Sequence, residues 1–272
     1  MQRTDAELGR VDELLMLAYE APSRRRELEL YLSVQPDGWF VIEESGEIVA
    51  AAGAIAYGGF CWIGLVATHP AAQGRGLATR LSRHLLEWAT SRGIGTVALD
   101  ASDVGRPVYE RLGFRALGPT VELVRDAGRR PHARRGADRL DPADLDEILA
   151  LDRATFGGDR GALLRALTHE YRDSSYVTRD RRGRLTGYLV EREQLIGPGC
   201  ACDMASAKRL VHSTRDDDHE QRLLVPLGSG FLDALLELGL VERRRLTHMR
   251  LGDLEIPGAR RQLIAQLSFA AG

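Results

Sequence analysis

The sequence has little of what marks a nucleic-acid-binding or membrane-surface protein. Of its 37 basic residues only Lys208 is a lysine, and 39 acidic residues leave a formal net charge of -2. A chain without excess positive charge has no global field to hold it on nucleic acid or on an anionic membrane. We therefore expect no nucleic acid and no membrane among its partners.

Cysteine is also scarce. The chain has three cysteines, Cys61, Cys200 and Cys202, and its first residues carry no apolar segment of the secretory kind. This pattern predicts a reduced, cytoplasmic protein. Cys200 and Cys202 could offer two thiolates to a metal, but no second cysteine pair and no histidine pair accompanies them, so we predict no metal site.

One long uncharged run requires a decision between two structures. Residues 48–67 contain no charged side chain. This run of 20 residues is as long as a helix needs to be to cross a bilayer. Gly58 and Gly59 stand at the midpoint, where they suit a two-residue hairpin turn, and β-branched and aromatic residues flank them. We therefore favour a buried β-hairpin.

The length of 272 residues favours two domains. Apolar spacing predicts two short helices over 6–19 and 24–32, and then an antiparallel meander made of a strand over 39–43 and the hairpin. A helix begins at Leu77 and ends near Gly93, and a strand follows over 96–99, which makes a βαβ unit with a parallel strand pair.

The second half repeats this order of elements. A segment with glycine, proline and four arginines over 126–137 is typical of a linker. Beyond it we predict helices over 140–156 and 162–167 and strands over 176–178, 185–191 and 223–225.

The segment from Leu65 to Leu86 carries the chemistry. A strand ends at Thr68, a loop with Gly74 and Gly76 follows, and an amphipathic helix begins at once. Glycines allow backbone N–H groups to approach a ligand, and the first turn of a helix has unpaired N–H donors and a positive dipole end. This arrangement predicts a phosphate or pyrophosphate site. The segment lacks the G-x-G-x-x-G of dinucleotide folds and the G-K-[ST] of P-loops.

Gln73, Gly76 and Ala78 form the pattern Q-x-x-G-x-A, which resembles motif A of the GNAT (GCN5-related) N-acetyltransferases. Downstream, the segment VYERLGF over 108–114 resembles motif B of the same family. The two motifs stand in the expected order, and the resemblance covers residues 1 to about 126.

The resemblance implies a mixed α/β fold, with tandem domains that each have a mostly antiparallel sheet, a central parallel strand pair and flanking helices. It also implies acetyl-CoA as co-substrate. The residues expected to bind it lie on the strand end and the glycine loop: Leu65, Val66, Ala67, Thr68, Gln73, Gly74, Arg75, Gly76, Leu77, Ala78 and Thr79.

Tyr109 resembles the tyrosine of the family that protonates the departing CoA thiolate. Its phenol, with an ordinary pKa of about 10, keeps its proton at neutral pH. The alternative is a core aromatic on a short helix.

No residue identifies itself as the general base. Glu43, Asp100 and Ser102 lie on strand ends that could face the acceptor, and each is equally typical of a solvated or capping side chain. A water chain could also remove the proton of the amine. His69 and His84 are interpreted as a loop residue and a helix-surface residue.

The second half resembles the C-terminal GNAT-like domain of a bacterial group of two-domain acetyltransferases. The resemblance lies in D-x-x-x-F-G-x-D-R over 152–160, Gly187-Tyr188, Ile196-Gly197-Pro198 and Thr247-x-Met249, with His248 where the group has arginine. Its segment GPGCACDMASAKRL lacks motif A, so we expect no second CoA site. Asp152, Phe156, Asp159, Arg160 and Asp203 either line an acceptor pocket or cap and bridge helices.

The sequence therefore predicts a catalytic GNAT domain over 1–126, a linker over 127–137, and a GNAT-like domain over 138–272 that shapes the acceptor site. The predicted activity is transfer of an acetyl group from acetyl-CoA to a primary amine, with a small molecule as acceptor, and a homodimer is compatible with it. The alternatives are a non-catalytic acyl-CoA sensor or interaction protein, and an enzyme that modifies protein N-termini or lysines through an open groove.

Overall fold

The structure is a computed structural model of the chain, and it describes residues 4–125, 136–214 and 220–272. The described residues fall into two compact units. The first contains the residues up to Ala116 together with Met249–Glu255 and Ala271, and the second contains the others. Most of the predicted linker, over 127–137, lies outside the described residues.

The elements of the first unit follow the predicted order. In chain order they are α1 (Asp5–Tyr19), α2 (Arg25–Val34), β1 (Trp39–Glu44), β2 (Glu47–Ala56), β3 (Phe60–Thr68), α3 (Leu77–Thr90), β4 (Thr96–Ala101) and α4 (Arg106–Arg111). Thr4 begins α1 with a side-chain cap, because its hydroxyl accepts a hydrogen bond from the Glu7 N–H at 3.2 Å. The two predicted N-terminal helices are confirmed.

The uncharged run forms a hairpin. Strand β2 pairs antiparallel with both β1 and β3, and Gly58 turns the chain between β2 and β3 with a φ of +86°. Glycine has no Cβ, so it adopts this left-handed conformation at little cost. The prediction of a hairpin is confirmed, and among the described residues no helix has the length and apolar character needed to cross a membrane.

Strand β3, helix α3 and strand β4 form the predicted βαβ unit, in which β3 and β4 pair in parallel. Helix α3 turns Leu77, Leu81, Leu85 and Trp88 toward the sheet and buries them. Along the sheet the strand order of this unit is β1-β2-β3-β4.

The remaining elements belong mainly to the second unit. They are β5 (Arg115–Arg125), β6 (Asp138–Arg139), α5 (Leu145–Phe156), α6 (Gly161–Glu170), β7 (Ser175–Arg179), β8 (Leu185–Glu191), β9 (Leu195–Ala201), α7 (Met204–Ser213), β10 (Gln221–Val225), α8 (Leu232–Glu237), β11 (Val241–Leu251) and β12 (Leu263–Ala265). The predicted start of a helix at Leu140 is wrong. Asp141 and Asp144 form a capping box around a 3-10 turn at Pro142–Asp144, so α5 begins at Leu145.

The second unit repeats the topology of the first. Strands β7, β8 and β9 form an antiparallel meander, α7 follows, and β10 then pairs in parallel with β9. The strand order β11-β5-β10-β9-β8-β7-β6 includes Val241–His248 of β11, while its end, Met249–Leu251, lies beside β4 in the first unit. The predicted fold class, a mostly antiparallel mixed sheet with one central parallel pair in each domain, is confirmed.

Candidate active site

Strand β3 contains a bulge in the predicted donor site. Ala51 pairs with Ala67 and Gly53 pairs with Gly64, so β3 has one residue more than β2 over this stretch. Leu65 takes up the irregularity with a φ of +50°. A leucine in the left-handed region is rare and strained, and a bulge bends its strand and changes the direction of its backbone groups.

The parallel strands separate beyond the bulge. The pairs between β3 and β4 are Phe60–Thr96, Cys61–Val97 and Trp62–Ala98, whereas β3 continues to Thr68 and β4 to Ala101. The backbone groups of the last residues of β3 along this edge are therefore open to partners other than β4. One of them, the Val66 carbonyl oxygen, accepts a hydrogen bond from the Tyr19 hydroxyl at 3.0 Å.

The predicted donor residues of this strand differ in exposure. Leu65 and Ala67 are buried, while Val66 and Thr68 are half-buried. Beyond them His69 closes a 3-10 turn over Pro70–Ala72, because its Nδ1 accepts a hydrogen bond from the Ala71 N–H at 3.2 Å.

The glycine loop brings the chain to an open helix end. Gly74 and Gly76 have φ values of +75° and +77°, and a Cβ atom on either would meet no atom within 4 Å. Gly76 is the N-cap of α3, and no side chain in the described residues caps this helix. The N–H groups of the first turn, at Leu77, Ala78 and Thr79, are therefore available to a ligand. An open, uncapped cradle fits a pyrophosphate.

Two other predicted loop residues are exposed. Gln73 ends the 3-10 turn that precedes the glycines. Arg75 extends from between the two glycines, and its Nη2 lies 2.8 Å from the Glu44 Oε1 at the end of β1. Such an exposed ion pair is worth little in water, so a phosphate could displace it.

Tyr109 is buried in the core of the first unit. Its ring contacts Phe114 edge-on with a centroid distance of 5.7 Å. Burial raises its pKa above the ordinary value of 10, so the phenol keeps its proton at neutral and mildly alkaline pH. Among the described residues none forms a hydrogen bond with its hydroxyl, which leaves this donor for another partner.

Tyr19, at the end of α1, lies near Tyr109. Burial of its phenol raises the pKa of Tyr19. The negative charge that Tyr109 would carry on ionisation raises it further. The bulge carbonyl of Val66 and the two phenols thus occupy one region of the first unit.

The three base candidates have other contacts. Glu43 lies 3.4 Å from the Arg10 Nη2, and the Ser102 hydroxyl accepts a hydrogen bond from the Gly105 N–H at 3.2 Å before α4. Asp100 lies half-buried near the end of β4. These placements fit solvated and capping side chains, and a catalytic role for any of the three stays a prediction.

Sequence reasoning missed a polar group on the first two helices. Arg24 lies over the Tyr19 ring with its Cζ 5.8 Å from the centroid, and its Nη1 pairs with Glu27 at 2.9 Å. The other Glu27 oxygen accepts a hydrogen bond from the Tyr31 hydroxyl at 2.9 Å. The sequence analysis placed Arg24 and Glu27 in the predicted helix over 24–32 and gave neither a role, because no local pattern distinguishes them from solvated helix residues.

The corresponding strand–helix junction of the second unit is closed by its own side chain. Asp203 caps α7, and its carboxylate accepts a hydrogen bond from the Ser206 N–H at 2.7 Å. Only residues 202–203 join β9 to α7, whereas residues 69–76 join β3 to α3. The N-terminus of α7 is thus occupied by the carboxylate of Asp203, whereas the N-terminus of α3 has no side-chain cap among the described residues.

The other candidate residues of the second unit form ion pairs. Arg160 binds the Asp152 carboxylate through its Nε and Nη2 at 2.8–3.1 Å, both side chains are fully buried, and the guanidinium lies over the Phe156 ring. Asp159 pairs with Arg153 on the surface. In the described residues no group of three or more metal-ligating side chains could hold a metal ion.

Two domains of the chain match acetyltransferase family models. Residues 8–114 match the model described as the acetyltransferase (GNAT) family, and residues 148–265 match an acetyltransferase (GNAT) domain. The chain belongs to the GNAT acetyltransferase family.

One curated relative and two solved structures are similar to this chain, the two structures in their fold. The chain is 30% identical over 166 residues to the N-acetyltransferase YitH of Bacillus subtilis, which covers 60% of this chain and 57% of YitH. Its matches span about half the length of the curated relatives. An acetyltransferase structure from Pyrococcus horikoshii has a TM-score of 0.85 at 23% identity and covers 100% of this chain and 95% of its own. A tandem GNAT protein from the clavulanic acid biosynthesis pathway has a TM-score of 0.63 at 14% identity, over 94% of this chain and 98% of its own.

Proposed function

We propose that the protein is an N-acetyltransferase that moves an acetyl group from acetyl-CoA to the primary amine of a small molecule. The observation that carries this proposal is the open junction between β3 and α3. There a bulged strand edge, two left-handed glycines and an uncapped helix end follow one another along the chain.

The backbone of this junction would hold the donor. The N–H groups from Gly74 to Ala78 bind the pyrophosphate, and the open edge of Leu65 to Thr68 pairs with the pantetheine amides. A backbone N–H near Val66 or Ala67 then donates to the acyl oxygen and stabilises the charge that develops there. This use of backbone donors explains why the loop contains glycine at two left-handed positions.

Acetyl-CoA would supply an activated acyl group, whose C–S bond breaks as the amine nitrogen forms the new C–N bond. Tyr109 donates its proton to the sulfur that leaves with the electron pair, and it regains a proton from solvent. The amine gives up its extra proton to water. The raised pKa of Tyr109 keeps the acid in its donating form before the reaction.

We assign a different role to the second unit. Its strand–helix junction is short and capped by Asp203, so we expect one donor site per chain, in the first unit. We propose that the second unit, which then binds no acetyl-CoA, has a part in the choice of acceptor without being its sole determinant.

Two measurements on the full chain test the proposed function. Calorimetric titration should show that acetyl-CoA binds with a stoichiometry of one, and thiol release with a panel of amines should show turnover with at least one of them. Binding without turnover on any amine would favour the non-catalytic sensor. Absence of binding would refute the donor site.

A further inference from the structure

Arg24 pairs with the protein on one side of its guanidinium and, among the described residues, has an unpaired Nε on the other side. Its Nη1 pairs with Glu27, while its Nε is buried and has no hydrogen-bond partner among the described residues. Nε and Nη2 form the lateral edge of the guanidinium, which binds carboxylates with two parallel hydrogen bonds. A buried donor without a partner is costly in a folded protein, so each such group calls for an explanation, of which an acceptor supplied from outside the chain is one.

Arg160 shows in the same chain what this edge binds. Its Nε and Nη2 hold the Asp152 carboxylate, while its Nη1 donates to the Gly272 carbonyl oxygen at 3.0 Å. Arg24 likewise uses its Nη1 for a bond to the protein, here to Glu27. Within the described part of the chain, however, no protein carboxylate binds its Nε.

The guanidinium of Arg24 is held in place. Glu27 is bound by Arg24 on one oxygen and by the Tyr31 hydroxyl on the other, and Tyr31 stacks on Trp39 at 5.7 Å. Tyr31 and Trp39 are both buried. A guanidinium fixed by an ion pair and packed neighbours loses little freedom when it binds a ligand.

The edge also lies in the region of the proposed reaction. Arg24 packs over the ring of Tyr19, whose hydroxyl donates a hydrogen bond to the Val66 carbonyl oxygen at the bulge. Tyr109 lies near Tyr19. Tyr19 is 38% exposed and the Arg24 side chain is 26% exposed, so both side chains reach the protein surface beside the bulge.

We propose that Arg24 is a specificity-determining residue that binds a carboxylate of the acetyl acceptor, so that the substrate class is amino acids rather than simple amines. The inference rests on the proposed N-acetyltransfer. Arg24 would hold the carboxylate through Nε and Nη2 and so orient the amine of the same molecule toward the acyl carbon at the bulge.

The test compares matched acceptors on the full chain. Thiol release is measured with α-, β- and γ-amino acids and with the amide of each, which keeps the amine and removes the carboxylate charge. Arg24→Gln should lower kcat/KM for the preferred amino acid by about 10²-fold, since it removes two charge-assisted hydrogen bonds, and should change kcat/KM for its amide by less than about threefold. Arg24→Lys, which keeps the charge without the planar fork, should recover only part of the loss.

The neighbouring Arg25 provides the matched control. Its Nε pairs with Glu29 at 2.9 Å and its Nη2 pairs with Asp5 on the surface, so Arg25→Gln should leave both acceptors unaffected. Acetyl-CoA affinity, measured by calorimetry, should be the same in all three variants, which shows that each is folded and binds the donor.

Three outcomes would overturn the inference. In the first, the wild type turns over amides but no amino acid. In the second, Arg24→Gln lowers kcat/KM equally for an amino acid and for its amide. In the third, Arg24→Gln keeps full activity on the amino acid. In each case the proposed acetyl transfer still stands. Donor binding without turnover of any amine contradicts the proposed function itself.

Discussion

In the second unit the Asp203 carboxylate accepts a hydrogen bond from the Ser206 N–H at 2.7 Å, whereas Gly76, at the corresponding place in the first unit, has no side chain to cap α3. An N-cap of this kind is worth about 1 kcal/mol to a helix. The first unit forgoes that stabilisation at the one junction where an anionic ligand would supply the missing acceptor. The same topology therefore yields one open helix end and one closed helix end.

The first prediction concerns this open end. Gly76→Glu places a charged side chain where the pyrophosphate should lie, so the affinity for acetyl-CoA should fall by more than about tenfold. The control is Gly58→Glu at the hairpin turn, where φ is also positive and the space is also open. Both variants should lose about 1 kcal/mol of stability, because both force a side chain into the left-handed region. Equal acetyl-CoA affinities for the two variants in calorimetry would contradict the donor site.

The second prediction concerns Tyr109. Tyr109→Phe keeps the packing against Phe114 and removes only the proton, so kcat should fall by about 10- to 10³-fold while acetyl-CoA affinity changes little. Tyr57→Phe is the control, because the Tyr57 hydroxyl donates to the Ala271 carbonyl oxygen at 2.7 Å and is also buried. That variant should lower the melting temperature without lowering kcat. Unchanged turnover in Tyr109→Phe would return this residue to a purely packing role.

The third prediction is the pH dependence of the acid. Burial raises the pKa of Tyr109 above 10, so the donating form persists to higher pH than that of a free tyrosine. The wild-type kcat should therefore show no alkaline decline from loss of an acid below about pH 10. A decline in kcat with a midpoint between pH 8 and pH 9, at saturating substrates and with the fold intact by circular dichroism, would point to a different acid.

The fourth prediction separates the three cysteines. Cys61 and Cys200 are buried and Cys202 is exposed. Burial raises the pKa of the Cys61 thiol to about 12 and also raises that of Cys200, so neither is a reactive thiolate at pH 8. A thiol reagent should therefore label one cysteine per chain in the native protein and three in denaturant, and Cys202→Ser should abolish the native labelling. Labelling of two thiols in the native state would mean that one buried site opens readily.

The same thiols affect stability at high pH. Because the folded pKa of Cys61 is raised above its ordinary value of 9, its contribution to stability is complete below pH 9 and is lost as the pH rises toward 12.

The fifth prediction compares two neighbouring ion pairs. Asp152 and Arg160 are fully buried, whereas Arg153 and Asp159 are more than half exposed. Arg160→Leu leaves a buried carboxylate without its partner and should cost about 3–5 kcal/mol in the free energy of unfolding. Arg153→Leu should cost less than about 1 kcal/mol. Urea unfolding of both variants gives the comparison, and equal costs would contradict the expected effect of burial on the two ion pairs.

The sequence predicted the elements whose signals are local. Gly58 and Gly59 predicted the hairpin, and the spacing of Leu77, Leu81 and Leu85 predicted α3, because turn chemistry and helical periodicity depend on neighbours in the chain. The start of α5 was misplaced because Pro142 and the Asp141 capping box hold a 3-10 turn ahead of it.

The site was harder to predict where it depends on distant contacts. The left-handed backbone of Leu65, with a φ of +50°, could not be predicted from the sequence around it. It depends on the bulge, which is set by the register between β2 and β3. Tyr19 and Val66 are 47 positions apart, and the open edge of Arg24 is recognisable only when every neighbour of its guanidinium is known. The backbone loop was predictable from its motif, and the polar side chains on α1 and α2 were not.

Strand β11 has a consequence for how the protein is made. Its residues up to His248 belong to the second unit, while Met249–Glu255 belong to the first, where Met249 is completely buried in the core. The first unit therefore lacks part of its core until the ribosome has translated Met249–Glu255, although most of its sequence emerges first. We expect the nascent first unit to remain a client of chaperones while the second unit is synthesised. Splitting the gene between the halves would remove Met249–Glu255 from the first unit, so we expect the two GNAT domains to be inherited as one gene.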